Sequence, residues 1–204
     1  MTAPAATLDA SEVVVGTANG PGLYLAPAGT APPAPGADWA APWSLLGYAS
    51  DDGVTVSGDT TNESLTPWQS TTPIRTIITE VTRTVQFVLW QLNATTLGLY
   101  FDTDVTAPAA DGDPLSFDVP SSPAAKVYAV GVDVKDGETI LRLVWPRASL
   151  DSTGDMAITK GAAVPLDVTL SALDANGIMV HVDVFPADFT ASQGSLTVAA
   201  TPAA

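Results

Sequence analysis

The stretch KVYAVGVDVKDGETILRLVW, residues 126–145, decides the fold class. Tyr128, Val130, Val132 and Val134 alternate with Ala129, Gly131, Asp133 and Lys135. A period of two is the signature of a strand with one face turned to a core. Asp136-Gly137 follows, a dipeptide suited to positive φ and to tight hairpin turns. Leu141, Leu143 and Trp145 then resume the alternation. The segment predicts a β-hairpin, and antiparallel pairing for the chain.

The same grammar recurs on both sides. Val81, Val85, Phe87 and Leu89 share one parity, opposite Thr82, Thr84 and Gln86, with Arg83 interrupting the apolar set. Val164, Leu166, Val168 and Leu170 form another run, and Ile178, Val180, Val182 and Val184 a further one. Asn176-Gly177 stands between those two as a second hairpin signal, and Asp52-Gly53, before Val54-Thr55-Val56-Ser57, as a third. Leu23-Tyr24-Leu25 is a candidate strand. The Pro/Ala/Gly segment 26–37 lacks hydrogen-bond donors at its prolines and predicts a loop. Asn93 to Phe101 breaks the period. Asn93 suits an N-cap, and Leu97, Tyr100 and Phe101 have helical spacing, so a short helix is expected over 93–101.

Composition narrows the function classes. The 204 residues include no cysteine, which excludes disulfides, thiolate metal sites and cysteine nucleophiles. Seven basic against 22 acidic residues give a net charge of −15, a surface that repels nucleic-acid phosphates. The N-terminal MTAPAATLDASEVVVG has neither a basic n-region nor a long apolar core, so no secretory signal is expected and the chain is expected in the cytoplasm where it is made. No run of about 18 apolar residues predicts a membrane span. The single histidine, His181, shares a strand face with Asp183 and reads as a polar-face residue. The acidic pairs Asp51-Asp52, Asp102/Asp104 and Asp111/Asp113 lack the terminal glutamate of a calcium loop. No phosphate loop or nucleophile elbow is present. Neither metal nor cofactor is expected.

Of the tryptophans, Trp90 and Trp145 fall in strand patterns and are expected in the core, while Trp39 and Trp43 flank the proline segment and are expected to pin it. Trp68 follows a polar stretch, Gly58 to Thr66, that has no hydrophobic period, within the segment 58–76. It is either a satellite core residue or an interface anchor.

Five stretches in order resemble the major tail proteins, or tail tube proteins, of siphophages that infect actinobacteria. They are GPGLYLAPAGTAPPAP (20–35), LGYASDDGVTVS (46–57), PWQSTTPIRTIIT (67–79), TVQFVLWQLNATTLGLYF (84–101) and KVYAVGVDVKDGETILRLVWPRASLDSTGDM (126–156). The resemblance implies a mainly β protein: an antiparallel β-sandwich with one short flanking helix and a long inter-strand loop. The organisation expected is an N-terminal arm (1–22), a β-sandwich domain (23–189) with a stacking loop at 58–76, and a C-terminal tail (190–204). It implies a structural subunit, not an enzyme, that is assembled in the host cytoplasm and resides in the virion tail. Copies would form six-membered rings stacked into a tube, and DNA would pass through the channel without specific binding. Other partners would be the tape measure, terminator and distal tail proteins. Candidate interface residues are Thr60, Asn62, Glu63, Leu65, Trp68, Gln69 and Arg75. Candidate channel-lining residues are Asp59, Asp133, Asp167, Asp183, Thr55, Ser57, Thr82 and Thr84. A β-sandwich decoration or receptor-binding module is the alternative from another class, and a hydrolase with dispersed carboxylates a third.

Overall fold

A computed structural model describes residues 13–16, 22–110, 112–122, 124–137 and 139–185. Eight strands and one helix follow the order β1 (Gly22–Pro27), β2 (Ser44–Leu45), β3 (Ala49–Leu65), β4 (Arg75–Leu89), α1 (Ala94–Tyr100), β5 (Val127–Asp136), β6 (Thr139–Thr153), β7 (Leu166–Ala172) and β8 (His181–Phe185). Every strand pairing is antiparallel. The fold is therefore mainly β with one short helix, as the alternation predicts.

The strands form one hydrogen-bonded sheet, ordered β2-β1-β5-β6-β7-β4-β3, with β8 on the N-terminal half of β6. The two layers expected of a sandwich are limbs of this one sheet. Leu23 and Leu25 (β1), Val130 and Val132 (β5), Val85, Phe87 and Leu89 (β4), and Leu166, Val168 and Leu170 (β7) all enter one buried cluster around Trp145. The period of two delivers this directly, because each strand offers one apolar parity to the same interior. Burying large aliphatic and aromatic side chains contributes roughly 1.5–3 kcal/mol each, so this cluster dominates the stability.

The hairpin signals resolve in three ways. Asp136-Gly137 turns β5 into β6, with Asp136 paired to Thr139. Asn176 and Gly177 both have positive φ, 57° and 85°, inside a turn closed by the Ala175–Ile178 bridge. That turn does not make β7 and β8 a hairpin, since β8 pairs with β6. Asp52-Gly53 does not reverse the chain. Gly53, at φ 78°, lies in a bulge between Ala49 and Val54 of one continuous strand. Ser50 Oγ donates to Asp52 Oδ2 at 2.8 Å and accepts from the Asp52 backbone N–H, which folds the extra residues outward. An Asp-Gly pair serves a bulge as well as a turn, because both need a residue at positive φ.

Residues 58–76 are the larger correction. They are strand over 58–65 and again from Arg75, and only 66–74 is loop. The hairpin β3–β4 keeps its register to Leu65–Arg75 with one further bulge between Thr61 and Asn62. Beyond Thr84, where β4 meets β7, no third strand accompanies it among the described residues. The free part of β4 reaches roughly 30 Å at about 3.4 Å per residue. Two-sided exposure removes the hydrophobic alternation that would have announced a strand. Of the two terminal segments, 190–204 and most of 1–22 lie outside the described residues.

Helix α1 matches its expected span. Asn93 Oδ1 accepts from the Thr96 N–H at 2.9 Å, and the Thr96 hydroxyl oxygen accepts from the Asn93 N–H at 3.0 Å. This reciprocal cap satisfies two backbone donors at the helix start. Asn93→Ala is expected to lower stability by about 1 kcal/mol, read as a shifted denaturation midpoint with an unchanged slope.

Candidate assembly interfaces

Three surfaces and one buried node account for the polar residues. The first surface is the projecting hairpin. Thr60, Asn62, Glu63 and Leu65 lie on β3, Trp68 and Gln69 in the loop, and Arg75 at the start of β4, so the structure brings all seven candidate interface residues onto one ribbon. Trp68 is 99% exposed, which removes the satellite-core option. Leu65, Ile74, Ile77, Ile78 and Val81 on the same ribbon are exposed too. The loop is nonetheless built. Ile74 N–H donates to Leu65 O at 2.9 Å, and the Ser70 and Thr72 hydroxyls lie 2.7 Å apart. An apolar set of this size on an ordered protrusion marks an interaction site.

The second surface is the outer face of β3, β4 and β7. Direct pairing puts Thr55 beside Gln86, Ser57 beside Thr84 and Asp59 beside Thr82. It puts Thr169 beside Gln86 and Ser171 beside Thr84. Asp167 joins this face through Gln86 Nε2, which donates to it at 3.1 Å. Six of the eight candidate channel residues thus share one polar face. The other two, Asp133 and Asp183, lie on the opposite limb, on either side of Arg142.

The third surface is the set of free edges. β3 and β2 end the sheet, and β8 pairs only with β6. On β8, Val182 is 53% exposed although its parity is apolar. Trp90, expected in the core, is 41% exposed just past the end of β4, whereas Trp145 is fully buried. Unpaired edges with exposed valines invite strand pairing by another chain.

The node is Arg142, 2% exposed on β6 and not singled out in the sequence. Its Nε and Nη2 each donate to an Asp133 carboxylate oxygen at 2.8 Å. Nη2 also donates to Ala37 O at 3.1 Å. The Asp133 hydrogen bond, outweighing burial, raises the Arg142 pKa, so the guanidinium is permanently charged. Trp39 Nε1 donates to Asp133 Oδ2 at 2.6 Å, and the Trp39 ring lies 4.6 Å from the guanidinium carbon. Tyr24 stacks on Trp39 with centroids 4.4 Å apart, and Trp43 meets it edge-on. The two tryptophans thus pin the proline segment to the sheet, as expected. Gly131 lies beneath Trp39, and a Cβ there would collide with the indole. His181 Nε2 lies 3.2 Å from Asp183 Oδ2 on an edge strand, the imidazole exposed and the carboxylate half-buried. Among the described residues no group of three His, Asp or Glu side chains could hold a metal, and no helix is long and apolar enough to cross a membrane.

An antiparallel β protein whose unspent surface is a projecting apolar ribbon and free strand edges has the anatomy of an assembly subunit. The family model described as Phage tail tube protein matches residues 6–193, and the chain belongs to that family. It is a structural component of the virion tail and not an enzyme. Membership implies that it assembles with copies of itself and with other tail proteins. A search of curated proteins finds no match.

The node sets its own test. Asp133→Ala leaves a buried guanidinium without its partner and is expected to cost roughly 3–5 kcal/mol. Replacing both, as Asp133→Leu with Arg142→Met, is expected to recover most of that loss. Urea denaturation of Asp133→Leu, Arg142→Met and the double variant reads the coupling.

Proposed function

We propose that this subunit closes six to a ring and that rings stack head to tail into the tail tube of a siphophage of actinobacteria, with DNA passing through the central channel. The observation that carries the proposal is the β3–β4 ribbon, which leaves the body of the sheet with Trp68 and five aliphatic residues bare. In this arrangement the ribbon crosses to the neighbouring ring, with Thr60, Asn62, Glu63, Leu65, Trp68, Gln69 and Arg75 as its contacts. The heterologous, non-closing contact it makes generates an open stack. The free edges of β3 and β8 pair laterally around the ring, which covers Val182 and Val184.

The channel lining assigned is the polar face of β3, β4 and β7: Thr55, Ser57, Asp59, Thr82, Thr84 and Asp167. Short hydroxyl side chains with interspersed carboxylates offer phosphates no cation to hold them, and repulsion keeps the duplex off the wall. Screening acts over about 8 Å at physiological salt, so wall carboxylates govern passage and those elsewhere do not. Asp133 and Asp183 are outside this set because the former's carboxylate is committed to Arg142 and Trp39, and the latter lies beside that node. Tape measure, terminator and distal tail proteins are the further partners at the bore and the two ends of the tube.

Trp68→Ala is expected to leave the monomer's stability within about 0.5 kcal/mol of wild type, as for an exposed side chain, and to abolish polymerisation in negative-stain micrographs. A Trp68→Ala chain that polymerises like wild type would remove the ribbon from the stacking contact. Separately, Asp59→Lys with Asp167→Lys is expected to permit tube assembly while slowing DNA ejection, measured by dye uptake in ejecting virions. Unchanged ejection kinetics would take this face out of the channel.

A further inference from the structure

The pairings of the sheet fix which strand ends point away from the ribbon tip. β4 enters the sheet at Thr84, opposite Ser171, and runs away from the ribbon tip to Leu89, opposite Leu166. By strand direction β1 finishes at Pro27 and β5 starts at Val127 on the side away from the tip, in the row of Ser149, Ser171 and Thr84, and α1, directly after β4, lines a hollow together with Leu25 and Tyr128. A hollow of about 660 Å³ opens there, walled by Leu25, Pro27, Ser44, Thr95, Lys126 and Tyr128. A second hollow, of about 410 Å³, is lined by Asp38, Trp39 and Arg142 and lies at the end from which the ribbon departs.

We propose that the remote hollow is the seat of Trp68 from the subunit in the adjoining ring. The inference rests on the head-to-tail stacking proposed above, which presents each tip to the remote end of the next copy. Three observations favour this seat over the other hollow. Its position is at the end a head-to-tail neighbour reaches. Its lining is partly apolar, with Leu25, Pro27 and Val127 beside Ser44, Asp104 and Lys126, and exposed Tyr48, Trp90 and Leu92 gather where β4 ends, matching the aliphatic residues of the ribbon. A buried indole removes roughly 150–250 Å² from water, so a partly apolar hollow is where the gain is greatest. Charge also matches. The loop 66–74 carries no charged residue and Arg75 follows it, while Asp51, Asp52, Asp102 and Asp104 crowd the receiving end. Asp104 is almost fully exposed although it holds Lys126 at 2.7 Å, so it remains open to Arg75 of the incoming ribbon.

The chain's lack of cysteine makes covalent trapping free of background. Gln69→Cys places a thiol beside the anchor without removing it, and Ser44→Cys places one on the wall of the remote hollow. Disulfides require Cα atoms within about 7 Å, so bonding reports seating. Tubes of the double variant, oxidised and run on a non-reducing gel, are expected to give a ladder of covalent multimers, with each single variant monomeric. Gln69→Cys with Asp38→Cys, which probes the other hollow, is expected to give none. Intact tubes that yield no ladder through Ser44, or a ladder through Asp38 instead, overturn the seat while leaving stacking in place. A wild-type chain that forms no tubes overturns both.

Discussion

Strand β6 bonds to three others along its length. Its N-terminal half lies between β5 and β8, and its C-terminal end pairs with β7, with Ala148 and Ser149 bonded to both β5 and β7. Fifteen residues of one strand therefore join both limbs of the sheet, and Trp145, at the crossing, is buried among residues from each. Two register irregularities sit where the limbs part, one between Tyr128 and Val130 of the β5 pairing and one between Leu150 and Ser152 of the β7 pairing. Bulges bend and twist a strand locally. They let one continuous sheet enclose a core that a flat sheet would leave open. The position of every surface, including the ribbon and the free edges, follows from that closure.

The two outer faces of the sheet are finished differently. Over β1, β5 and β6, the outer side is roofed by Trp39 and Trp43, with Arg142 and Asp133 joined by two hydrogen bonds beneath. Over β3, β4 and β7, nothing in the described chain covers the threonines, serines and aspartates. A buried ion pair contributes little net stability compared with apolar packing, but leaving one partner alone is expensive. The pair therefore acts to fix the roof in one place: Arg142 reaches the Ala37 carbonyl and Trp39 reaches Asp133, so the proline-rich segment is held at several points despite its missing donors.

Much of this was legible in the chain. The parity of Tyr128 to Val134 and of Val85 to Leu89 placed the core, and Asn93 placed the helix. The Arg142–Asp133 pair was also available: once Asp136-Gly137 turns the chain, pairing Asp136 with Thr139 brings 133 opposite 142. A cation within an apolar run facing an aspartate is a visible signal. Other features were beyond pattern alone. Asp52-Gly53 satisfies a bulge and a turn equally, and only long-range pairing decides between them. The ribbon's strands carry no alternation because neither face meets a core. Trp90 sits in a strand-like run but falls one residue past β4, where the sheet no longer encloses it. Among the residues proposed for the channel, parity places the β3, β4 and β7 set on one face of the sheet. It could not tell that Asp133 and Asp183 belong to the opposite limb, since limb membership depends on strand order.

The bulge between Thr61 and Asn62 lies within the unsupported part of the ribbon. A two-stranded ribbon of roughly 30 Å is a long lever, and a tilt of about 5° at its root displaces the tip by about 3 Å. The eight-stranded body resists such deformation because its core is closed on both limbs. The molecule thus joins a stiff block to a compliant arm. In a stack of the proposed kind, curvature would be absorbed in the arms between rings, so that the filament bends while the bore of each ring keeps its shape.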